Sequence, residues 1–359
     1  MNKALKIILI IGLAVTLLGA CMLFISLSLA NWELSALSDT KIQEFTYTEP
    51  PEAPVTDVSL DFGNADINVF FDTNAETLIV TYPQTFSHSG KPKTEITVTE
   101  NNGSVSITEK IVWYRNIISL WDYSDPEVTL ILPANRTYRL SIYTDNGEIT
   151  VDTGDQKEAS GTLNTDTSIC STSAVQLVTA NGRIAFADTS YMNCEGEFLC
   201  RTDNGKIELG TVDAKKLIAE SDNGMITIVG GNITETVQLA TANGVVRVTG
   251  TLTAHDIGIE TDNGKIQLQG NLTANKMTVE TDNGNITATA QLDAAHLTLT
   301  TDNGDITAYV AGKRSDYTVE AKTDVGKSNV ASQTGGNRVL IVESDTGDIE
   351  ISFLGNEDQ

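Results

Sequence analysis

Aromatic residues make up only 6% of this 359-residue chain, and there are just four cysteines, three histidines and seven prolines. Basic residues are also scarce: 23 Lys and Arg stand against 48 Asp and Glu, a formal net charge of −25. Each shortage excludes something. A chain this acidic offers no basic footprint to a phosphate polymer, so nucleic acid is a poor partner. Cysteines this sparse cannot build the framework of a disulfide-stapled secreted domain. Cys21 falls in the apolar N-terminal run, which leaves Cys170, Cys194 and Cys200. The C-x5-C spacing of the last two permits a local bridge, but Cys200 occupies an apolar repeat position and reads as a small buried hydrophobe. His88, His255 and His296 lie in unrelated contexts, and no Ser-His-Asp, H-E-x-x-H, P-loop or G-x-S-x-G pattern is present. No catalytic, cofactor-binding or metal-binding residue is therefore assigned, no cofactor is expected, and the chain reads as non-enzymatic.

Thr, Val, Ile, Asn, Asp and Gly are abundant, the composition of strands joined by tight turns. The N-terminus is different. Ile7 to Ala30 is an uncharged run of 24 residues, preceded by Lys3 and Lys6 and followed by Glu33 and Asp39. It is long enough to span a bilayer with some tilt and longer than the core of a secretory signal. The lysines hold the N-terminus inside. The expectation is a single-pass transmembrane helix in the cell membrane, with the body extracytoplasmic. Two other tethers stay open: Leu18-Gly19-Ala20-Cys21 is lipobox-like, and Ser28-Leu29-Ala30 is a small-x-small cleavage pattern.

Four segments follow. Residues 1–32 hold the short cytoplasmic end and the anchor, and 33–54 form a linker stiffened by Pro50, Pro51 and Pro54. Residues 55–140 are an N-terminal β region of early coils or cap. There Val58, Leu60 and Phe62, then Ile67, Val69 and Phe71, alternate with polar residues around Gly63-Asn64. Trp113, Tyr114, Trp121 and Tyr123 crowd into this region. They are expected to plug the open end of the body, with an exposed glycan- or protein-binding patch as the alternative.

Residues 141–355 repeat one phrase. It reads TDNGEI at 144–149, TANGRI at 179–184, TDNGKI at 202–207 and TDNGKI at 261–266, with further copies at 221, 241, 281 and 301 and degenerate ones at 323 and 344. The glycines at 205, 224, 244, 264, 284, 304, 326 and 347 lie 19 to 22 residues apart. A fixed period near 20 is the mark of a solenoid. Within a coil, Ile266 and Leu268, then Leu272 and Ala274, then Met277 and Val279 alternate with polar residues, giving three short strands and three corners. Four inward columns result. The first holds Ile207, Ile226, Val246, Ile266, Ile286 and Ile306. The second is Val212, Ile233, Leu252, Leu272 and Leu292. The third is Leu217, Val237, Ile257, Met277 and Leu297, and the fourth is Ala219, Leu239, Ile259, Val279 and Leu299 together with Cys200. The fold class is thus all-β, a parallel β-helix or solenoid of about 20 residues per coil. It is expected to be right-handed, because crossovers between parallel strands are.

Asn-Gly in the corner suggests positive φ, including at Gly284, and stacked Asn side chains are suited to bond along the ladder. Asp203, Asp222, Asp262, Asp282 and Asp302 recur along one edge, broken by Ala242. Ca²⁺ would relieve their repulsion, but the simpler reading is that the phrase is a corner.

The T-D-N-G-x-I repeats, the short span after Lys3 and Lys6 and the strand-rich lead-in through Leu132-Pro133 resemble the DUF4097 family over about residues 55–355. The family is typical of Gram-positive bacteria and is often labelled adhesin. The resemblance implies a β-helical fold and a cell-envelope location, and brings no functional residues. The expected function is a non-enzymatic surface module, adhesin-like or a scaffold, with a cell-wall glycan or an envelope protein as candidate partner and an undefined oligomeric state. An accessory role in envelope-stress signalling, acting through membrane partners, is the alternative. A polysaccharide lyase or hydrolase, with Lys206 and Lys265 beside the Asp ladder, rests on fold analogy alone.

Overall fold

The computed structural model describes residues 15–22, 24–26, 28–29, 40–87, 89–112, 126–154, 170–187 and 190–355. They belong to two compact units. The first comprises Met1–Phe45, Pro83–Glu95 and Lys110–Pro126, and the second Thr46–Tyr82, Ile96–Glu109 and Glu127–Gln359.

In the first unit residues 15–22, 24–26 and 28–29 are helical and exposed. The transmembrane helix expected over Ile7–Ala30 does not emerge as such. Among the described residues no helix is long and apolar enough to cross a membrane, and the rest of that run lies outside them. So do His88, Trp113, Tyr114, Trp121 and Tyr123. The same unit contains a polar reversal in which Ser87 N–H donates to Lys91 C=O at 2.8 Å and Lys93 N–H to Thr85 C=O at 2.7 Å.

The second unit is a stack of parallel coils with a three-sided cross-section. In one coil, Asp256–Thr261 enters the TDNG corner, Ile266–Leu268 leaves it, and Leu272–Asn283 covers the short third side before becoming the next entry strand. We call these the entry, exit and short faces. Period-two alternation places every second side chain inside, and each coil pairs in register with its neighbours. On the exit face one inward column runs Val128, Ile67, Ile149, Ile184, Ile207, Ile226, Val246, Ile266, Ile286, Ile306 and Ile349. All eleven are buried. A single coil has no partner for its apolar face, so the core exists only because coils stack.

The third and fourth columns stand as the sequence implies, with Leu217, Val237, Ile257, Met277 and Leu297 in one and Cys200, Ala219, Leu239, Ile259, Val279 and Leu299 in the other. The second needs correction at one coil. Leu252 pairs with Gly231, and Ile233 pairs with Ala214, so Ile233 is displaced two residues from its assigned place. A shift of two keeps it on the inner face, and it remains 1% exposed.

The coils do not stack in chain order at either end. On the entry face Asp57–Phe62 pairs with Ser104–Ile111 on one side and Thr137–Thr144 on the other. On the exit face Asp66–Asp72 lies between Glu127–Pro133 and Ile149–Asp152. The chain therefore enters one coil in from the end, steps outward, then passes back over its own first coil. The C-terminal end mirrors this. Arg338–Thr346 pairs with the strand containing His296–Asn303 and also with Tyr317–Val325, which comes earlier in sequence but lies further out.

Candidate functional site

The repeated corner is the most regular chemistry in the molecule. Its Thr or Ser points inward and is buried, where an unpaired hydroxyl would be costly. Each hydroxyl is satisfied across the coil boundary: Thr202 Oγ1 donates to Gly182 C=O, Ser221 Oγ to Gly205 C=O and Thr241 Oγ1 to Gly224 C=O, all at 3.0 Å. It also accepts from its own corner, as Gly205 N–H donates to Thr202 Oγ1 at 3.0 Å. Asn faces outward and forms a second ladder. From Asn146 to Asn303 each Nδ2 donates to the Oδ1 of the coil before, starting on Asn64, at 2.6 to 3.0 Å.

The glycine has a different role from the one its sequence context suggests. Gly284 does not have positive φ, nor do the equivalent glycines up to Gly304. A Cβ on Gly284 would lie 1.9 Å from Gly264 C=O, and one on Gly224 would lie 1.5 Å from Gly205 C=O. Successive corners approach so closely that no side chain fits. Turn statistics point to backbone freedom, whereas the geometry demands absence of volume.

The Asp ladder is exposed. Among the described residues no group of three His, Cys, Asp or Glu side chains is placed to hold a metal ion. Cys170, Cys194 and Cys200 are buried free thiols, so no Cys194–Cys200 bridge is present. Burial pushes the Cys170 thiol up to about 12 and raises Cys200 further still. His255 is exposed beside Asp256, with Nδ1 3.2 Å from Oδ1, and His296 is exposed on the entry face. Lys206 and Lys265 belong to the corner positions that follow glycine, on the outside.

The outer side of the entry face carries a feature that the repeat conceals. In register, one outward column runs Glu220, Ala240, Glu260, Glu280, and the neighbouring column Ile218, Gln238, Gly258, Thr278. Ala240 and Gly258 leave a shallow concavity of about 300 Å³ between Gln238, Thr278, Glu260 and Lys276. A second concavity of about 220 Å³, reaching Ala242 between Asp222 and Asp262, shares Ala240 and Glu260 with it. The only sequence signal for this site is departure from the consensus at Ala240, Ala242 and Gly258, three small residues where neighbouring coils carry larger ones.

Stacked parallel coils with hydroxyl and amide ladders at one corner define a β-solenoid. Residues 55–352 match the Toastrack DUF4097 family model, and the chain belongs to that family. No curated protein matches it. Among solved structures, a candidate adhesin from Parabacteroides merdae is similar at 10% identity, with 86% of this chain and 96% of that one covered and a TM-score of 0.41. A candidate adhesin from Parabacteroides distasonis is 14% identical, covering 87% and 98% with a TM-score of 0.34. A candidate lipid-binding protein from the same species is 12% identical, covering 87% and 97% with a TM-score of 0.25.

Proposed function

We propose that this chain is a non-enzymatic, adhesin-like binding module of the cell envelope. The apolar run Ile7–Ala30 tethers it to the cell membrane with its N-terminus inside, and the coils wind right-handedly outside. The observation that carries the reading is the entry face. Parallel pairing sets outward side chains in columns about 4.8 Å apart, so the face presents a fixed, repeated array rather than a single convergent pocket. Repeat surfaces of this kind suit extended ligands. The acidic balance keeps such a surface soluble and selects against polyanions.

The test is capture by the full-length chain, held in uncharged detergent, of purified cell-wall glycan and of solubilised envelope proteins. Saturable retention of glycan supports the adhesin-like role. A reproducible membrane-protein partner with no glycan retention would instead favour the accessory role in envelope-stress signalling. Retention of neither would reject the binding module.

A further inference from the structure

The entry-face notch has no backbone reason to exist. Gly258 lies mid-strand without positive φ, and a Cβ there would meet nothing closer than Val237 C=O at 3.8 Å, ordinary contact. A larger residue is therefore sterically allowed, and glycine costs strand stability for lack of a side chain to pack. Its register neighbours Gln238 and Thr278 show what the column otherwise holds. Ala240 likewise sits between Glu220 and Glu260.

The rim fixes the chemistry. Glu260 and Glu280 adjoin the notch, and Asp222 and Asp262 flank its continuation at Ala242. Among the described residues none of these four has an ion-pair partner, and Lys276 is the one cation on the rim. No aromatic ring lines either concavity, so the stacking platform that a neutral sugar uses is missing. A bare metal ion fits poorly. Glu260 and Glu280 are register partners one coil apart, but among the described residues no group of three His, Cys, Asp or Glu side chains is placed to hold a metal ion, whereas Ca²⁺ takes about six or more oxygens. A flexible organic cation satisfies both constraints, because its stem fills the volume left by Gly258 and Ala240 while its charged head reaches the carboxylates.

We infer that the notch around Gly258 and Ala240 seats a lysine or arginine side chain of an extended basic polypeptide segment, with Glu260 and Glu280 receiving the cation. This rests on the binding-module reading and names the partner chemistry for one part of its surface.

A chain of net charge −25 attracts polycations without any site, so the test must separate shape from charge. Full-length protein is titrated with hexalysine by calorimetry at about 0.15 M salt, where the screening length is about 8 Å. Gly258→Gln fills the notch and leaves the charge unchanged. It is expected to weaken binding about tenfold, and Glu260→Gln several-fold, while Glu350→Gln, at an exposed position on the exit face, changes affinity less than about twofold. Wild-type affinity in both notch variants, with circular dichroism unchanged, would mean attraction by net charge only and would overturn the inference. Chitosan oligomers binding more tightly than hexalysine, with the same sensitivity to Gly258→Gln, would overturn it in favour of an amino sugar. If the notch variants bind normally yet the full chain still captures glycan or an envelope protein, the notch fails and the module reading survives.

Discussion

The middle coils and the end coils solve the same physical problem in opposite ways. Between residues 202 and 303 every coil follows the one before it, and stability repeats: an inward aliphatic column, a buried hydroxyl ladder and an exposed amide ladder. A coil at the end of such a stack has a neighbour on one side only, and a chain terminus there would fray. Both ends avoid this by stepping out of order. The entry strands Asp57–Phe62 and Asp66–Asp72 and the final strands Arg338–Thr346 and Ile349–Phe353 are each placed one coil inward, paired on their inner side with the regular stack. The outer coils are formed by mid-chain segments held covalently at both of their own ends, and at the N-terminal end the exit-face strand Glu127–Pro133 is also covered on its outer side by Ile79–Thr81, which runs antiparallel to it.

Different chemistry accompanies the different threading. Where the chain passes back over its first coil, Arg136 donates to Glu49 Oε1 at 2.5 Å and to Glu76 C=O at 2.7 Å, and Glu49 is only 4% exposed. Glu49 also accepts the Val55 N–H at 3.0 Å. At the other end Arg338 covers the Tyr317 ring with its guanidinium carbon 4.7 Å from the centroid, and bonds to Asp293 and to Ala294 C=O. Tyr317 Oη donates to Ala311 C=O at 2.7 Å. The Asn ladder stops at this end as well, because Thr346 and Val325 occupy the next two positions in stacking order.

The contrast can be broken from either side. Ile266→Asp in the middle buries an unpaired carboxylate and is expected to cost about 4 kcal/mol or more, against within about 0.5 kcal/mol for the outward Gln267→Asp, read by chemical denaturation. Equal losses would put the coil register off by one residue. At the N-terminal end, Arg136→Met leaves Glu49 buried without its cation. The expected loss is about 3–5 kcal/mol, and Glu49→Gln in the same chain should restore part of it. No recovery would mean that Arg136 acts through packing rather than charge.

Gly284→Ala is expected to lose about 3 kcal/mol or more, since its Cβ would collide with the Gly264 carbonyl, while Gly258→Ala changes little. A loss of similar size at both would remove close approach as the reason for the corner glycine. Thr202→Val keeps the shape and deletes the hydroxyl that bridges Gly182 and Gly205, which should cost about 1–3 kcal/mol. A neutral result would reduce the hydroxyl ladder to packing.

The smallest effect concerns titration. Partial desolvation at its exposed outer-face position, and then the charge of Asp145, raise the Asp61 carboxyl above its ordinary value. A raised carboxyl binds its proton more tightly when folded, so stability is lost as pH rises through the ordinary carboxylate range toward the folded pKa. Asp61→Asn should therefore stabilise modestly at neutral pH, with the gain vanishing as both states of Asp61 become protonated. A gain that persists in acid would assign it to something other than charge.

The middle coils were readable because their sequence is self-similar. A period near 20 with period-two alternation fixes coil length, inward columns and the place of Cys200 without reference to distant residues. The displacement of Ile233 was not readable, because two glycines, Gly230 and Gly231, let the chain take up residues at a corner without leaving the inner face. The role of the corner Thr was hidden too, since its partner is the glycine of another coil. Coil order at the ends leaves no trace in periodicity: the degenerate copies at 323 and 344 keep their spacing whether or not they stack in sequence. The notch appears only as three small residues in a repeat, a signal that gains meaning once register places Ala240 and Gly258 on one face.

The inverted order of the last two coils is the claim that sequence periodicity alone would not have produced. Thr298 and Ile341 are register partners on the outer side of the entry face, and Ile341 in turn pairs with Glu320. In one double variant Thr298 and Ile341 are both replaced by Cys, and in a second Thr298 and Glu320. Adjacent parallel strands bring Cα atoms to about 4.8 Å, within disulfide reach, whereas two coils place them about 9.6 Å apart, beyond it. The account predicts that mild oxidation cross-links Thr298→Cys/Ile341→Cys in nearly every molecule and leaves Thr298→Cys/Glu320→Cys reduced. Efficient cross-linking of the second pair, with the first unreactive, would contradict it and restore sequential stacking.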